Sequence, residues 1–129
     1  MVVGEAEGIV LRSDRAISLW GGIDPSSGRI IDRRHDRHGE SIVGRVFAIP
    51  AEKGSSTGSA VLLELIRAGL APAGIVTSET APILAVGSIV AEELYGAGIP
   101  IVCLGPRDWT KLVDGEWVRI GGDGSITRP

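Results

Sequence analysis

Apolar positions along the chain come in short runs broken by glycine, and only two stretches recur at helical spacing. Residues 6–11 and 16–20 read as strands, and Gly21-Gly22 breaks the pattern after the second. Asp24-Pro25-Ser26-Ser27-Gly28 has the chemistry of a turn, because Pro presets φ, Asp bonds the backbone two residues on, and Gly supplies a positive φ. Ile30-Ile31 resumes a short strand, and residues 32–40 form a charged stretch expected to be a solvated loop or a contact surface. Residues 41–49 alternate into a strand that Pro50 ends. A helix then follows over residues 60–69: Val61, Leu62, Leu65 and Ile66 share one face, and Gly69 suits the position just past the end. Residues 73–77 read as a short buried strand, and residues 88–95 as a second helix closed by Gly96 and Gly98. Residues 99–104 form another buried strand, and residues 109–126 a hairpin with Asp114-Gly115 at its turn. The order predicts one mixed, β-rich α/β domain over residues 1–129 with two main helices, and not a doubly wound sheet.

Composition narrows the chemistry. With 43% hydrophobic residues among 129, the chain can bury a real core. Thirteen basic against 16 acidic residues give a net charge of −3, which argues against a polyanion or nucleic-acid binder. Aromatic residues are only 4%, too few for base-stacking platforms. One cysteine excludes an internal disulfide framework, and any iron–sulfur or zinc site built from several thiolates of this chain alone. Cys103 lies in an apolar run and is expected to be buried. The first residues lack the basic n-region of a signal peptide, and no apolar run approaches the ~20 residues of a membrane span, so a soluble cytoplasmic chain is expected.

The strongest chemical signal is Gly54-Ser55-Ser56-Thr57-Gly58-Ser59, four hydroxyls and two glycines running into a helix. A helix start offers backbone N–H groups and a partial positive charge, and small residues let an anion approach the backbone. No Lys follows Gly58, so this is not a Walker-type phosphate loop. The plainer alternative is that Thr57 or Ser59 caps the helix while the other hydroxyls saturate loop backbone. His35 and His38 flank Asp36-Arg37, but with no third ligand evident a polar loop is the simpler reading than a metal site. Asp24 fits turn chemistry better than substrate orientation, and Glu79 follows a buried strand, where sites of α/β domains collect. Glu92 and Glu93 read as solvated helix-face acids, and Trp109 and Trp117 as packing residues or a partner-facing patch on the hairpin.

Several motifs, taken in order, resemble one family. Leu19-Trp20-Gly21-Gly22-Ile23-Asp24-Pro25, Gly28-Arg29-Ile30-Ile31-Asp32 with His35, Ser41-Ile42, the hydroxyl loop, and Gly69-Leu70-Ala71-Pro72-Ala73 are similar to the small subunits of the aconitase X family, out to about Val102. The resemblance implies a swivelling β/β/α domain that pairs with a large aconitase X-type subunit, as a heterodimer or a dimer of heterodimers. It implies an iron–sulfur cluster, of the 4Fe–4S kind, held by that partner, and no metal on this chain. It implies an intersubunit site for a small hydroxy acid. In this family (R)-5-phosphomevalonate is dehydrated to trans-anhydromevalonate 5-phosphate for isoprenoid synthesis, or cis-3-hydroxy-L-proline is dehydrated. The catalytic serine falls at Ser55, with Lys53, Gly54, Ser56, Thr57, Gly58 and Ser59 around the substrate. Two departures stand out: Glu52-Lys53-Gly54 where Gly-Arg-Gly is expected, and His35-Asp36 where His-Pro is expected. Lys53 keeps a charge but not a planar fork. Two other classes stay open: a phosphocarrier swivelling domain, which wants a His where Ser55 stands, and a purely structural subunit.

Overall fold

A computed structural model describes residues 2–54 and 56–129. Its strands are β1 (Ala6–Arg12), β2 (Val46–Ile49), β3 (Gly74–Thr77), β4 (Ile101–Cys103), β5 (Trp117–Ile120) and β6 (Ile126–Thr127). Its helices are α1 (Leu19–Gly22), α2 (Thr57–Arg67), α3 (Pro82–Tyr95) and α4 (Pro106–Thr110). The strands form one sheet in the order β4-β3-β2-β1-β5-β6. β1 to β4 run parallel to one another, whereas β5 is antiparallel to β1 and β6 to β5. β1 is shared: its first four residues pair with β5 and its last three with β2. The mixed β-rich architecture is the expected one, with α2 and α3 as the two main helices.

All four residues of both β2 and β3 are buried, as strands covered on two faces must be. Alternate residues go to opposite sides. Phe47, Ile49, Ile75 and Ile101 pack with Val61, Leu62 and Leu65 of α2 and Leu84 of α3. Val46, Ala48, Val76 and Val102 pack on the other face with Leu112, Val118, Ile120 and the half-buried Trp109 of α4. The parallel strands step in sequence order across the sheet, so their right-handed crossovers stack α2 and α3 on one side. All four strands then end at one edge.

Several local expectations are corrected. Residues 16–20 form no strand: Ile17 makes a single parallel bridge to Glu52, and the chain then coils into α1. Residues 41–45 precede the strand, which is only β2, and Ile30 makes one bridge, to Ile23. Strand 99–104 shortens to β4. The second helix begins six residues earlier than expected, at Pro82, and runs through Gly87, which is a packing glycine. A Cβ there would lie 2.8 Å from the Ser59 carbonyl oxygen and 3.2 Å from Leu62 Cβ, so α3 can approach α2 only with glycine at that position. The long hairpin is absent. Trp109 sits in α4, and the actual hairpin joins β5 to β6 through residues 121–125. Gly115 has a positive φ, but its N–H bonds the Val10 carbonyl and only leads the chain into β5. Cys103 is exposed, contrary to expectation. It ends the edge strand β4 on the same face as Ile101, beyond the cover of the helices. Among the described residues no helix is long and apolar enough to cross a membrane.

Candidate active site

The carboxyl ends of β1 to β4 share an edge, which is where parallel sheets place their ligands. The segment leaving β2 carries Glu52, Lys53 and Gly54 and enters α2 through the hydroxyl loop. Lys53, Gly54, Ser56 and Thr57 are exposed, and Gly58 is buried. Ser55, the expected catalytic serine, lies outside the described residues. Ser56 takes the cap position of α2 and makes no side-chain capping bond, and no acid occupies the first turn. Ser59 is not a cap. Its hydroxyl donates to the Ile83 carbonyl of α3 at 2.6 Å. Gly54 holds φ +86°, and a Cβ there would meet Ser18 Oγ at 2.9 Å, so this turn requires glycine twice over. The loop therefore presents small, exposed, neutral hydroxyl residues and one cation, Lys53, at the positive end of a helix, an arrangement that suits an anion.

Beside it, at the end of β3, Ser78 Oγ donates to the Pro50 carbonyl at 2.8 Å, and the amides of Ser78 and Glu79 point at the same oxygen. Thr77 is fully buried and donates to the Glu79 carbonyl at 2.6 Å. Glu79 is thus fixed by its backbone at the same edge, with its side chain exposed.

The charged stretch behaves differently. His35, expected in a solvated loop, is buried, because the loop folds back on the end of β1. The Arg37 amide donates to His35 Nδ1 at 3.2 Å, which places the imidazole proton on Nε2. Nε2 then donates to Ser13 Oγ at 2.8 Å, and the Ser13 hydroxyl donates to Asp36 Oδ1 at 2.5 Å. Asp36 also accepts the Asp14 amide at 3.0 Å. Burial pushes the Asp36 carboxyl upward, but the Asp14 amide and the Ser13 hydroxyl outweigh it and hold it below the ordinary range. These are the residue types of a hydrolytic triad with the roles inverted. The serine is 0% exposed and the histidine nitrogen facing it is a donor, so no nucleophile is activated. His38 is exposed, and no group of three His, Cys, Asp or Glu able to hold a metal exists among the described residues. Asp24 bonds the Ser26 hydroxyl at 2.7 Å and its amide at 2.9 Å, which lowers its pKa and is turn chemistry.

Sequence reasoning missed Ser13, Ser18 and Glu52. Ser13 carried a faint signal, standing directly after a strand. Glu52 stood out only as a departure from a motif. Its carboxylate accepts the amides of Ile83 at 2.9 Å and Leu84 at 3.0 Å, a contact 31 residues away that no local pattern reveals.

Residues 1–128 match the aconitase X swivel domain. The chain belongs to the aconitase X swivel-domain family. It is 43% identical to the phosphomevalonate dehydratase small subunit of Methanothermobacter thermautotrophicus, over 86% of this chain and 80% of that one. It is 49% identical to the cis-3-hydroxy-L-proline dehydratase of Pseudomonas aeruginosa, over 90% of this chain but 21% of the relative, so it spans about a fifth of that enzyme's length. The crystal structure of Thermococcus kodakaraensis aconitase X in its holo-form superposes with a TM-score of 0.85 at 36% identity, covering 97% of this chain and 89% of that one. The motif resemblance and the fold it implied both hold for this aconitase X swivel domain.

Proposed function

We propose that this chain is the swivel subunit of a hydro-lyase that removes water from a small 3-hydroxy acid at a site shared with a large aconitase X-type subunit. The observation that carries the reading is the exposed hydroxyl loop at the start of α2, on the carboxyl edge of the parallel strands. Family membership supplies its context. In the proposed chemistry Ser55, as an alkoxide, takes the proton from the carbon beside the substrate carboxylate. The C–H electron pair forms the double bond, the C–O bond breaks with its pair on oxygen, that hydroxide takes a proton from solvent and departs as water, and Ser55 returns its proton to solvent. A serine hydroxyl is a weak base, and the positive end of α2 with Lys53 favours its anionic form. Gly54, Ser56, Thr57 and Gly58 shape the loop around the substrate carboxylate.

The sequence holds one cysteine, too few for a thiolate-held cluster on this chain alone. The iron–sulfur cluster expected of the family is therefore assigned to the large subunit, with the two chains as a heterodimer or a dimer of heterodimers. Of the two substrates, cis-3-hydroxy-L-proline is favoured by the 49% identity to its dehydratase. (R)-5-phosphomevalonate is the second reading, supported by 43% identity over most of a separate small subunit. Both present a 3-hydroxyl and an acidic hydrogen beside a carboxylate, so one loop serves either.

The test is an anaerobic assay of the co-purified complex with each substrate, following water loss by mass. Turnover of one substrate, abolished by Ser55→Ala with assembly intact, is expected. General-base catalysis contributes about 10²–10⁴-fold, so the loss in kcat should fall in that range. Turnover of neither substrate, or phosphohistidine at His35 or His38, would replace the dehydratase reading with a carrier one. Full activity of Ser55→Ala would make the loop structural.

A further inference from the structure

Both ends of the hydroxyl loop are bound to the same residue of a neighbouring helix. On the entry side Glu52 Oε1 accepts the Ile83 amide at 2.9 Å, and its Oε2 accepts the Leu84 amide at 3.0 Å. On the exit side the Ser59 hydroxyl donates to the Ile83 carbonyl at 2.6 Å. The start of α3 has no cap of its own. Ala81 offers no side-chain bond, Pro82 has no N–H, and the Ala85 amide is taken by the Ala81 carbonyl. The Glu52 carboxylate therefore completes α3, and in exchange α3 holds the segment at its two ends, Glu52 and Ser59. The entry side is also held from below, where the Lys53 amide donates to the Ile17 carbonyl at 3.3 Å and Glu52 bridges Ile17.

From this arrangement we infer that Glu52 and Ser59 are positioning residues: a clamp on Ile83 that sets where the hydroxyl loop stands relative to the substrate. The inference rests on the dehydratase reading for its effect on turnover, but not for its effect on the loop. The clamp explains why an acid stands beside an anion site. With its charge spent on α3, Glu52 seals one helix start and leaves α2 to the loop. A one-ångström displacement of reacting groups can cost about 10²-fold in rate, so loosening the clamp should act on kcat with little change in KM.

The experiment uses the assembled complex and compares wild type, Glu52→Ala, Glu52→Gln and Ser59→Ala by steady-state kinetics and by hydrogen exchange of peptides spanning residues 53–58. Glu52→Ala should raise exchange across these residues and lower kcat about 10²-fold, with KM within a few-fold. Glu52→Gln retains one acceptor and should recover part of both. Ser59→Ala should act in the same direction, and adding it to Glu52→Ala should cost less than the sum, because both hold one peptide. If Glu52→Ala prevents assembly, Glu52→Gln and Ser59→Ala carry the test. Unchanged loop exchange in these variants would overturn the clamp. Inactivity of the wild-type complex on both substrates would overturn the dehydratase reading, while the exchange data would still decide the clamp.

Discussion

Two polar loops lie at the same end of this domain and have opposite economies of hydrogen bonding. The charged loop, residues 32–40, turns its polar groups on the protein itself: His35 on Ser13 and the Arg15 carbonyl, Asp36 on Ser13 and Asp14, Arg37 on Glu40, Asp114 and the Arg12 carbonyl. The hydroxyl loop shows solvent a row of small residues, with Lys53, Gly54, Ser56 and Thr57 all exposed. Density of polar residues does not mark a site. What distinguishes the two is what their side chains meet: the end of β1 for His35 and Arg37, solvent for Lys53 and Ser56. The charged loop is expected to carry stability and the hydroxyl loop chemistry, and the two can be separated by substitution.

The largest expected contrast is at Ser55. Its replacement by Ala should remove turnover as argued above while leaving folding and assembly intact. A fall of several degrees in melting temperature would mean that the hydroxyl loop is structural too, and the comparison would collapse.

The mirror-image substitution is His35→Ala. It deletes a buried ring, leaves the Arg37 amide without its acceptor, and removes one of several bonds at Ser13 and the Arg15 carbonyl. Losses of this kind cost about 2–4 kcal/mol, combining a cavity with an unsatisfied amide. In a chain of this size that is a drop of very roughly 10 °C in melting temperature, read by calorimetry. The kcat of the molecules that remain folded and assembled should change far less than in Ser55→Ala. A loss of kcat as large as that of Ser55→Ala, with stability intact, would place His35 in the catalytic machinery and reverse the assignment.

How much of this was legible beforehand depended on range. α2 was legible because Val61, Leu62, Leu65 and Ile66 repeat at helical spacing and Gly69 closes it with φ +73°. The hydroxyl loop was legible because six consecutive residues carry the signal. The first half of α3 was not, since the room it needs is set by α2: a Cβ at Gly87 would lie 2.8 Å from the Ser59 carbonyl oxygen, a contact no local pattern shows. Residues 16–20 have strand composition but gain only one bridge, because Glu52 is the partner and β2 has already ended. The clamp and the Ser13–His35–Asp36 network join residues 22 to 32 positions apart, and no periodicity encodes a contact of that kind.

The smallest expected effect is on the acid side of the pH–stability curve, and its sign follows from three carboxyls of the charged network. Glu40 is held low by its hydrogen bond with Arg37, despite a burial penalty. Asp36 and Asp114 are pushed up by burial but pulled further down, Asp36 by the Asp14 amide and Ser13, Asp114 by the Arg12 amide and Arg37. A carboxyl whose pKa is lower folded than unfolded adds stability that is fully present above its unfolded pKa, about 3.9 for Asp and 4.3 for Glu. That stability is lost as pH falls through the folded values. Melting temperature should therefore stay level with respect to these groups from neutrality down to about pH 5, and decline below it. All three side chains are partly exposed, so solvent screens the effect and it should shrink in high salt. Arg37→Ala should flatten the acid limb, because it removes the common partner of Glu40 and Asp114. Lys53→Ala should leave the limb unchanged, since Lys53 stands in the hydroxyl loop, outside that network. An acid limb equally steep in Arg37→Ala and wild type would mean that Glu40 and Asp114 contribute no pH-linked stability through Arg37.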